Sequence, residues 1–168
     1  ADISFDEYLQ MIMLKTSVLV AASLQMGSVL GGAGLGNQGH LYEFGKNLGI
    51  AFQVQDDYLD AFGNVSKTGQ QQGGDILSNK KTFLMIHARE KCTGAAKKEL
   101  DILLHNNDDK KIEKVLQIFR DCKADEWATQ LKEKYYRIAL QHLDNVAVLA
   151  VRKEELKKLA ENLMEREN

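Results

Sequence analysis

The feature that most limits how this chain can fold is the absence of proline from its 168 residues. Proline interrupts helices more strongly than any other residue, because it lacks a backbone donor and clashes with the preceding turn. Without it, breaks are expected only where glycine, asparagine or aspartate cluster, as at residues 31–34 and 63–75. The sequence therefore predicts an all-α fold of long helices.

Composition limits the class of protein further. Apolar residues make up 44% of the chain and charged residues 27%, which is typical of one water-soluble domain that buries a core. The uninterrupted apolar runs, such as residues 147–151, are far shorter than the roughly 20 residues of a membrane span. With 22 basic and 24 acidic residues, the formal charge of -2 gives no reason to expect nucleic acid as a partner. Cys92 and Cys122 lack metal-ligand spacing and no secretory signal is present, so we expect reduced thiols and a cytoplasmic location.

Seven helices are predicted from apolar periodicity and end signals. Ser4 and Glu7 have the spacing of a capping box, so the first helix is expected over residues 4–30. The others are expected at residues 38–62, 78–92, 94–104, 110–122, 125–150 and 152–166. Residues 63–75 contain four glycines and three glutamines and are expected to form a loop. No repeat or linker divides the chain, so residues 1–168 are predicted to form a single domain. The side chains expected to face the core include Phe44, Leu48, Phe83, Leu84, Ile86, His87, Trp127, Leu131, Tyr135, Ile138, Leu156, Leu159 and Leu163.

Four polar side chains of the second predicted helix share one face. At about 100° per residue, Gln53, Asp56, Asp57 and Asp60 fall within roughly 100° of one another, opposite the apolar stripe. No lysine or arginine lies between Gln53 and Ala61, and like charges at this spacing repel by a few tenths of a kcal/mol per pair. Carboxylates of this kind suit Mg²⁺, which prefers one or two of them together with water and phosphate oxygens. The alternative is an ordinary solvated acidic face.

Three lysines are candidate ligands for an anion. Lys15 lies in the middle of the apolar stripe of the first helix, where an ammonium group must reach water or be matched by an anion such as diphosphate. Lys67, in the predicted loop, and Lys80, near the start of the third helix, add compact cations close in sequence to the aspartates. Taken singly, Lys67 and Lys80 are interpreted as ordinary surface residues. For Lys15 alone, the alternative is a lysine that buries its stem while its ammonium group reaches water.

The order and spacing of these residues resemble the second aspartate-rich region of the trans-isoprenyl diphosphate synthases, also called polyprenyl synthetases. The similarity covers the run FQVQDDYLD at residues 52–60, then Lys67-Thr68-Gly69, residues 74–76 and residues 79–82, and it extends upstream to Lys15-Thr16. The whole chain resembles the C-terminal half to two-thirds of such an enzyme. The resemblance implies the isoprenoid synthase fold, a bundle of long antiparallel helices around a central cavity, usually as a homodimer. It also implies Mg²⁺-dependent condensation of isopentenyl diphosphate, head to tail, with an allylic diphosphate.

The resemblance assigns the metal to the aspartates. Asp56 would bind Mg²⁺, while Asp57 and Asp60 would complete the metal site through the surrounding water. Asp75 would orient a lysine or a metal-bound water. Tyr58 lies off the acidic face and is interpreted as packing.

The resemblance assigns the substrate to the lysines and two neutral side chains. Lys15, Lys67 and Lys80 would bind the allylic diphosphate. Thr16 and Gln53 would lie beside the reacting carbon and stabilise the cation or position the diphosphate that accepts the proton. The catalytic set implied in this way is Lys15, Thr16, Gln53, Asp56 and Lys67.

One part of the family pattern is missing. The first aspartate-rich motif, DDxxD or DDxxxxD on an earlier helix, has no counterpart here, because residues 108–112 lack the third carboxylate. The opening at Ala1 without methionine fits a truncated chain or a proteolytic remnant. We therefore expect part of an enzyme that has no synthase activity alone. The apolar stripe around Lys15 is then expected to be partly exposed, which favours self-association.

Two other readings remain open. A terpene cyclase of related fold shares the metal and diphosphate chemistry, but its Asn/Ser/Glu metal triad is not found in this sequence. A non-catalytic helical subunit of a heteromeric prenyl synthase would keep the fold without the chemistry. Intact aspartates and lysines argue against the second reading.

Overall fold

The fold is helical throughout the part of the chain that the computed structural model describes, residues 3–63, 72–105 and 109–165, with no strand among them. The prediction of an all-α protein is confirmed. A π-helical turn, Met13–Ser17, joins the first two helices. The helices are α1 (Phe5–Ile12), α2 (Val18–Leu30), α3 (Leu35–Phe62), α4 (Gly74–Leu77), α5 (Phe83–Lys91), α6 (Gly94–His105), α7 (Lys111–Asp121), α8 (Ala124–Asp144) and α9 (Ala150–Met164).

The internal contacts group the chain into two compact units. Among the described residues, unit 1 contains residues 3–8, 54–63, 72–105 and 109–130, and unit 2 contains residues 9–53 and 131–165. Helix α3 therefore contributes to unit 2 as far as Gln53 and to unit 1 from Val54. The expectation of a single domain stays a prediction, because a grouping of contacts does not measure whether the units unfold together.

The first helical stretch begins with the predicted capping box. The Ser4 amide donates to Glu7 Oε2 at 2.8 Å, and the Glu7 amide donates to Ser4 Oγ at 3.2 Å. The π-helical turn was not predicted; in it the Val18 amide donates to the carbonyl of Met13, five residues earlier. Among the described residues, only Phe5–Leu30 is long and apolar enough to cross a membrane by length and composition, which is weak evidence for a span. Counting uninterrupted apolar runs missed this stretch, because isolated polar residues divide it.

The core of unit 2 lies between α3, α8 and α9. Phe44, Leu48, Ala139, Leu143 and Ala160 are buried there, so the predicted positions of Phe44 and Leu48 are confirmed. On α8, the buried Ala139 and Leu143 take the place predicted for Tyr135 and Ile138, which are only half-buried. On α9, Leu159 is exposed, while Leu156 and Leu163 pack against the core. The periodicity of apolar residues predicted these helices correctly, but on α8 it placed the buried face about one residue away from where the structure has it.

Two glycines let α3 approach the first helical stretch closely within unit 2. A Cβ atom at Gly45 would lie 2.9 Å from the Cα of Ala21, and one at Gly49 would lie 2.9 Å from the Cα and Oγ of Ser17. Real Cβ atoms do not tolerate such distances to backbone. The backbones therefore pack directly on each other at these two positions. At Gly49, the backbone of α3 packs against Ser17, the last residue of the π-helical turn.

The core of unit 1 is built around α5. Phe83, Leu84, Ile86 and His87 are all buried, as predicted. The ring of Trp127 stacks on His87 at 4.4 Å between centroids. Burial lowers the pKa of His87, although a hydrogen bond with the backbone of Cys122 acts in the other direction.

The two cysteines follow the ends of α5 and α7. Cys92 and Cys122 are both free. Burial, followed by the neighbouring Cys92 thiol, raises the pKa of Cys122 to about 12. Its thiol is therefore protonated at neutral pH.

Two predicted helix boundaries differ from the structure by five residues or more. The third predicted helix begins at Phe83 rather than residue 78, because Asn79 has a φ of 52° and Thr82 caps α5 by accepting from the Met85 amide at 3.2 Å. Helix α8 ends at Asp144 rather than residue 150. The chain beyond it is tied to the start of α3, because the Ala147 amide donates to Asn37 Oδ1 at 2.8 Å. A contact between distant residues gives no local end signal.

Candidate functional site

Asp57 is the most buried of the three predicted metal ligands, with 2% of its surface exposed. Its Oδ2 accepts from the Tyr8 hydroxyl at 2.9 Å and from the Phe83 amide at 3.4 Å, and its Oδ1 lies 3.5 Å from Lys80 Nζ. A buried carboxylate is tolerated only with such partners. Burial and the neighbouring Asp57 charge raise the pKa of Tyr8 far above its ordinary value, so the phenol stays a donor. Asp57 thus ties α3 to α1 and to the start of α5.

Asp60 and Asp75 hold the segment that carries Lys80. The Asp75 amide donates to Asp60 Oδ2 at 3.0 Å, and the Gly73 amide donates to the Asp60 carbonyl at 2.8 Å. Lys80 Nζ lies 2.6 Å from Asp75 Oδ2. Burial lowers the pKa of Lys80, but the carboxylates of Asp75 and Asp57 outweigh it and the net shift is upward. Lys80 is therefore a fixed cation with 44% of its side chain exposed.

Asp56 has a different setting from its neighbour Asp57. It is exposed, whereas Asp60 is half-buried, and burial raises the pKa of Asp60. Tyr58 packs its ring on Phe62 at 5.1 Å between centroids, as predicted. The acidic face is therefore not uniform, because one carboxylate is exposed, one is half-buried and one is enclosed.

The aspartates fit Mg²⁺ only as an open site. Across the described ranges, no group of three His, Cys, Asp or Glu side chains is arranged to hold an ion by itself. Asp57 is enclosed and bound to Tyr8, Phe83 and Lys80. Asp56 is exposed and Asp60 half-buried, so their carboxylate oxygens are of the type and accessibility that Mg²⁺ prefers. One or two carboxylates suffice when water and phosphate oxygens fill the other positions. The donor set thus suits Mg²⁺ that arrives with a phosphate ligand.

Lys15, Thr16 and Gln53 belong to unit 2. Lys15 and Thr16 lie in the π-helical turn, Lys15 exposed and Thr16 half-buried, and Gln53 is half-buried on α3. π-helical turns inside α-helices are frequent at functional sites. The exposed face of this helical stretch also carries Met11, Leu14, Leu19, Val20, Met26, Val29 and Leu30. The prediction of a partly exposed apolar stripe around Lys15 is confirmed.

Unit 1 brings together Asp57, Asp60 and Lys80 with Asp75, as the contacts above describe. Lys67 lies outside the described residues. A cavity of about 520 Å³ in unit 1 is bordered by Asn79 and Lys81, but by none of the predicted site residues.

Three residues of this network were not predicted. Tyr8 lies seven residues before Lys15, on the same face of the first predicted helix. A phenol among apolar side chains indicates a hydrogen-bond acceptor nearby. Asn79 and the buried Lys111 form a second support, in which Lys111 Nζ donates to Asn79 Oδ1 at 2.7 Å. The signal for Lys111 was its position, four, seven and eight residues before Val115, Ile118 and Phe119 on the same helix.

Comparison with known proteins agrees with this architecture. Residues 1–122 match the polyprenyl synthetase family. The chain is 30% identical over 167 residues to a short chain isoprenyl diphosphate synthase of Methanothermobacter thermautotrophicus, covering 99% of this chain and 51% of the relative. A crystal structure of a geranylgeranyl pyrophosphate synthase superposes with a TM-score of 0.89 at 36% identity, covering 99% of this chain and 53% of that one. A geranylgeranyl pyrophosphate synthetase from Pyrococcus horikoshii gives 0.91 at 26% identity, covering 98% and 50%.

These similarities establish the family. The chain belongs to the polyprenyl synthetases, and its fold is that of the isoprenyl diphosphate synthases. It spans about half the length of the curated relatives it matches.

Proposed function

We propose that this chain forms the part of a trans-isoprenyl diphosphate synthase that binds the allylic diphosphate together with Mg²⁺. The whole enzyme would condense isopentenyl diphosphate head to tail with that allylic diphosphate. The observation that supports this proposal is Lys80, held by Asp75 and Asp57 next to the aspartates of α3. That arrangement lies within the stretch that matches the family.

The acidic residues have separate tasks in this proposal. Asp56 and Asp60 hold Mg²⁺, and Asp57 supports the site by holding Lys80 and the start of α5. Mg²⁺, when bound, supplies positive charge that stabilises the leaving diphosphate. Asp75 orients Lys80.

The lysines bind the diphosphate of the allylic substrate. Lys15, Lys67 and Lys80 donate to its oxygens and stabilise the negative charge that grows as the carbon–oxygen bond breaks. Thr16 and Gln53 stabilise the allylic cation through their oxygens. The double bond of isopentenyl diphosphate attacks that cation, and the departing diphosphate accepts the proton that is lost.

The first test measures the binding of inorganic pyrophosphate by titration calorimetry, with and without Mg²⁺. We expect Mg²⁺-dependent binding that weakens at least about tenfold in Asp56→Ala, which corresponds to about 1.4 kcal/mol. Asp144→Ala removes another exposed carboxylate, at the end of α8, and serves as the control. The proposal is contradicted if pyrophosphate binds equally well with and without Mg²⁺. It is also contradicted if both variants lose the same amount of affinity.

The second test measures product formation. The 168-residue chain with Mg²⁺, isopentenyl diphosphate and an allylic diphosphate is expected to form no longer diphosphate, because no first aspartate-rich motif is present. Product from this chain alone overturns that expectation. With the whole enzyme, a linear longer diphosphate supports the synthase, and a cyclic hydrocarbon supports the terpene cyclase. A cytoplasmic location and a homodimer are part of the same proposal.

A further inference from the structure

Lys111 is a buried lysine to which the proposed reaction assigns no role. It is the first residue of α7, and only 2% of its surface is exposed. Its Nζ donates to Asn79 Oδ1 at 2.7 Å. A buried ammonium without a partner is strongly destabilising, so breaking this hydrogen bond is costly. The bond therefore holds the side chain of Asn79 in place.

Asn79 has an unusual backbone conformation at the end of α4. Its φ of 52° lies in the left-handed region, which residues other than glycine rarely adopt. The Lys80 amide donates to the Asp75 carbonyl at 2.9 Å, which is the closing bond of a helix C-terminus built on a left-handed residue. Asn79 Nδ2 also donates to the Leu104 carbonyl at 3.0 Å. The side chain of Asn79 thus connects the end of α4 with α6 and α7.

Lys80 is the residue that directly follows this turn. Its backbone direction is set by the conformation of Asn79, and its Nζ reaches Asp75 at 2.6 Å and Asp57 at 3.5 Å. A left-handed asparagine that lost its side-chain partners would gain other conformations, since asparagine tolerates this backbone region through the hydrogen bonds of its side chain. Lys80 would then lose the fixed position of its ammonium group.

We propose that Lys111 is a positioning residue that acts through Asn79 to hold Lys80 in place for an incoming diphosphate. Lys111 touches neither the aspartates nor the substrate in this role. The proposal rests on the proposed function, in which Lys80 binds the diphosphate.

The test compares Lys111→Met with Lys110→Met. Methionine keeps most of the length and apolar surface of lysine, and Lys110 is the exposed neighbour of Lys111. The first readout is the acetylation rate of the Lys80 amine by acetic anhydride, followed by mass spectrometry of the folded chain. We expect a several-fold increase in Lys111→Met, because the amine loses its fixed pairing with Asp75, and a change within twofold in Lys110→Met.

The second readout is the affinity for inorganic pyrophosphate with Mg²⁺. Lys111→Met is expected to weaken it about tenfold, and Lys110→Met to leave it within twofold. If the unsubstituted chain binds no pyrophosphate, the proposed function fails, while the acetylation rate still tests the positioning. A contrary outcome is a Lys111→Met variant that folds with lower stability while acetic anhydride still modifies its Lys80 at the original rate. That result would show that Lys111 contributes to stability alone, and it would overturn the proposal.

Variants of Asn79 keep the proposal testable if Lys111→Met does not fold. Asn79→Asp retains an acceptor oxygen for Lys111 but loses the donor to the Leu104 carbonyl, and it is expected to keep the acetylation rate closer to the original than Asn79→Gly does. Asn79→Gly retains the left-handed conformation but removes the acceptor, and it is expected to behave like Lys111→Met. Original behaviour in Asn79→Gly shows that backbone conformation alone positions Lys80 and overturns the proposal.

Discussion

Lys80 in unit 1 and Lys15 in unit 2 have the same proposed role, but their surroundings differ. Lys80 is held by Asp75 and Asp57 through side-chain contacts inside its own unit. Lys15 is exposed on a helical face that also exposes Met11, Leu19 and Met26. Unit 1 supplies partners for Asp57, Asp60 and Lys80, whereas the Lys15 face of unit 2 carries several exposed apolar side chains. The difference teaches that the side chains at the acidic end of α3 are held in place by residues of this chain, through contacts within unit 1.

The largest expected effect concerns the enclosed carboxylate of unit 1. Asp57→Ala leaves the Tyr8 hydroxyl and the Phe83 amide without their acceptor and removes a partner of Lys80. We expect the free energy of unfolding to fall by about 3–5 kcal/mol, the usual range when one member of a buried charged network is removed. Urea denaturation measures it. The neighbouring exposed Asp56→Ala is expected to change it by less than about 0.5 kcal/mol, and equal losses would contradict the contrast between the two carboxylates.

The next effect concerns the π-helical turn of unit 2. A Cβ at Gly49 meets the Cα of Ser17, so Gly49→Ala is expected to shift the turn and lower the free energy of unfolding by about 1–3 kcal/mol. Gly45→Ala meets the Cα of Ala21 equally closely, outside the turn, and is expected to be similarly destabilising. Amide hydrogen exchange distinguishes them, since only Gly49→Ala should accelerate exchange at residues 13–18. Acceleration there in both variants would show that the turn depends on the whole helix contact.

A smaller effect is expected from His87 in the core of unit 1. Because burial lowers its pKa in the folded state, the unfolded chain binds the proton more tightly. The stability that neutral His87 supports is therefore present above its ordinary pKa of about 6.5 and lost as the pH falls below it. His87→Phe keeps a ring against Trp127 and is expected to flatten the decline in the free energy of unfolding between pH 7 and pH 5. An unchanged slope would show that other groups cause the decline.

The smallest effect on folding is expected on the exposed apolar face. Leu19→Gln combined with Met26→Gln changes two exposed side chains and should alter the free energy of unfolding by less than about 0.5 kcal/mol per site. Self-association, measured by sedimentation velocity across protein concentration, should decrease in this variant, because large exposed apolar patches drive association. The control is Leu149→Gln, an exposed leucine just before α9. Equal association in all three chains would show that another surface is responsible.

Several features could be predicted because their causes are local. The capping box of Ser4 and Glu7 depends only on spacing along one helix, and it forms as expected. The aspartates of α3 were found in the same way, from their spacing. The exposed stripe around Lys15 followed from the half-length match to the family pattern.

Other features could not be predicted because their causes lie far away in the chain. Asp56 and Asp57 are adjacent and chemically identical, yet one is exposed and the other enclosed. The difference comes from Tyr8 and Phe83, which lie 49 and 26 residues from Asp57. Lys110 and Lys111 show the same contrast, with the ammonium of Lys111 held by Asn79, 32 residues earlier.

The sequence by itself determined that the chain is helical, where most helices lie, and which residue types carry the chemistry. These properties depend on backbone propensity, periodicity and spacing, all of which act over a few residues. Only the tertiary structure decided which carboxylate is enclosed, which lysine is fixed and where the π-helical turn meets α3. Those outcomes depend on which distant side chains exclude water from a group and supply its hydrogen bonds.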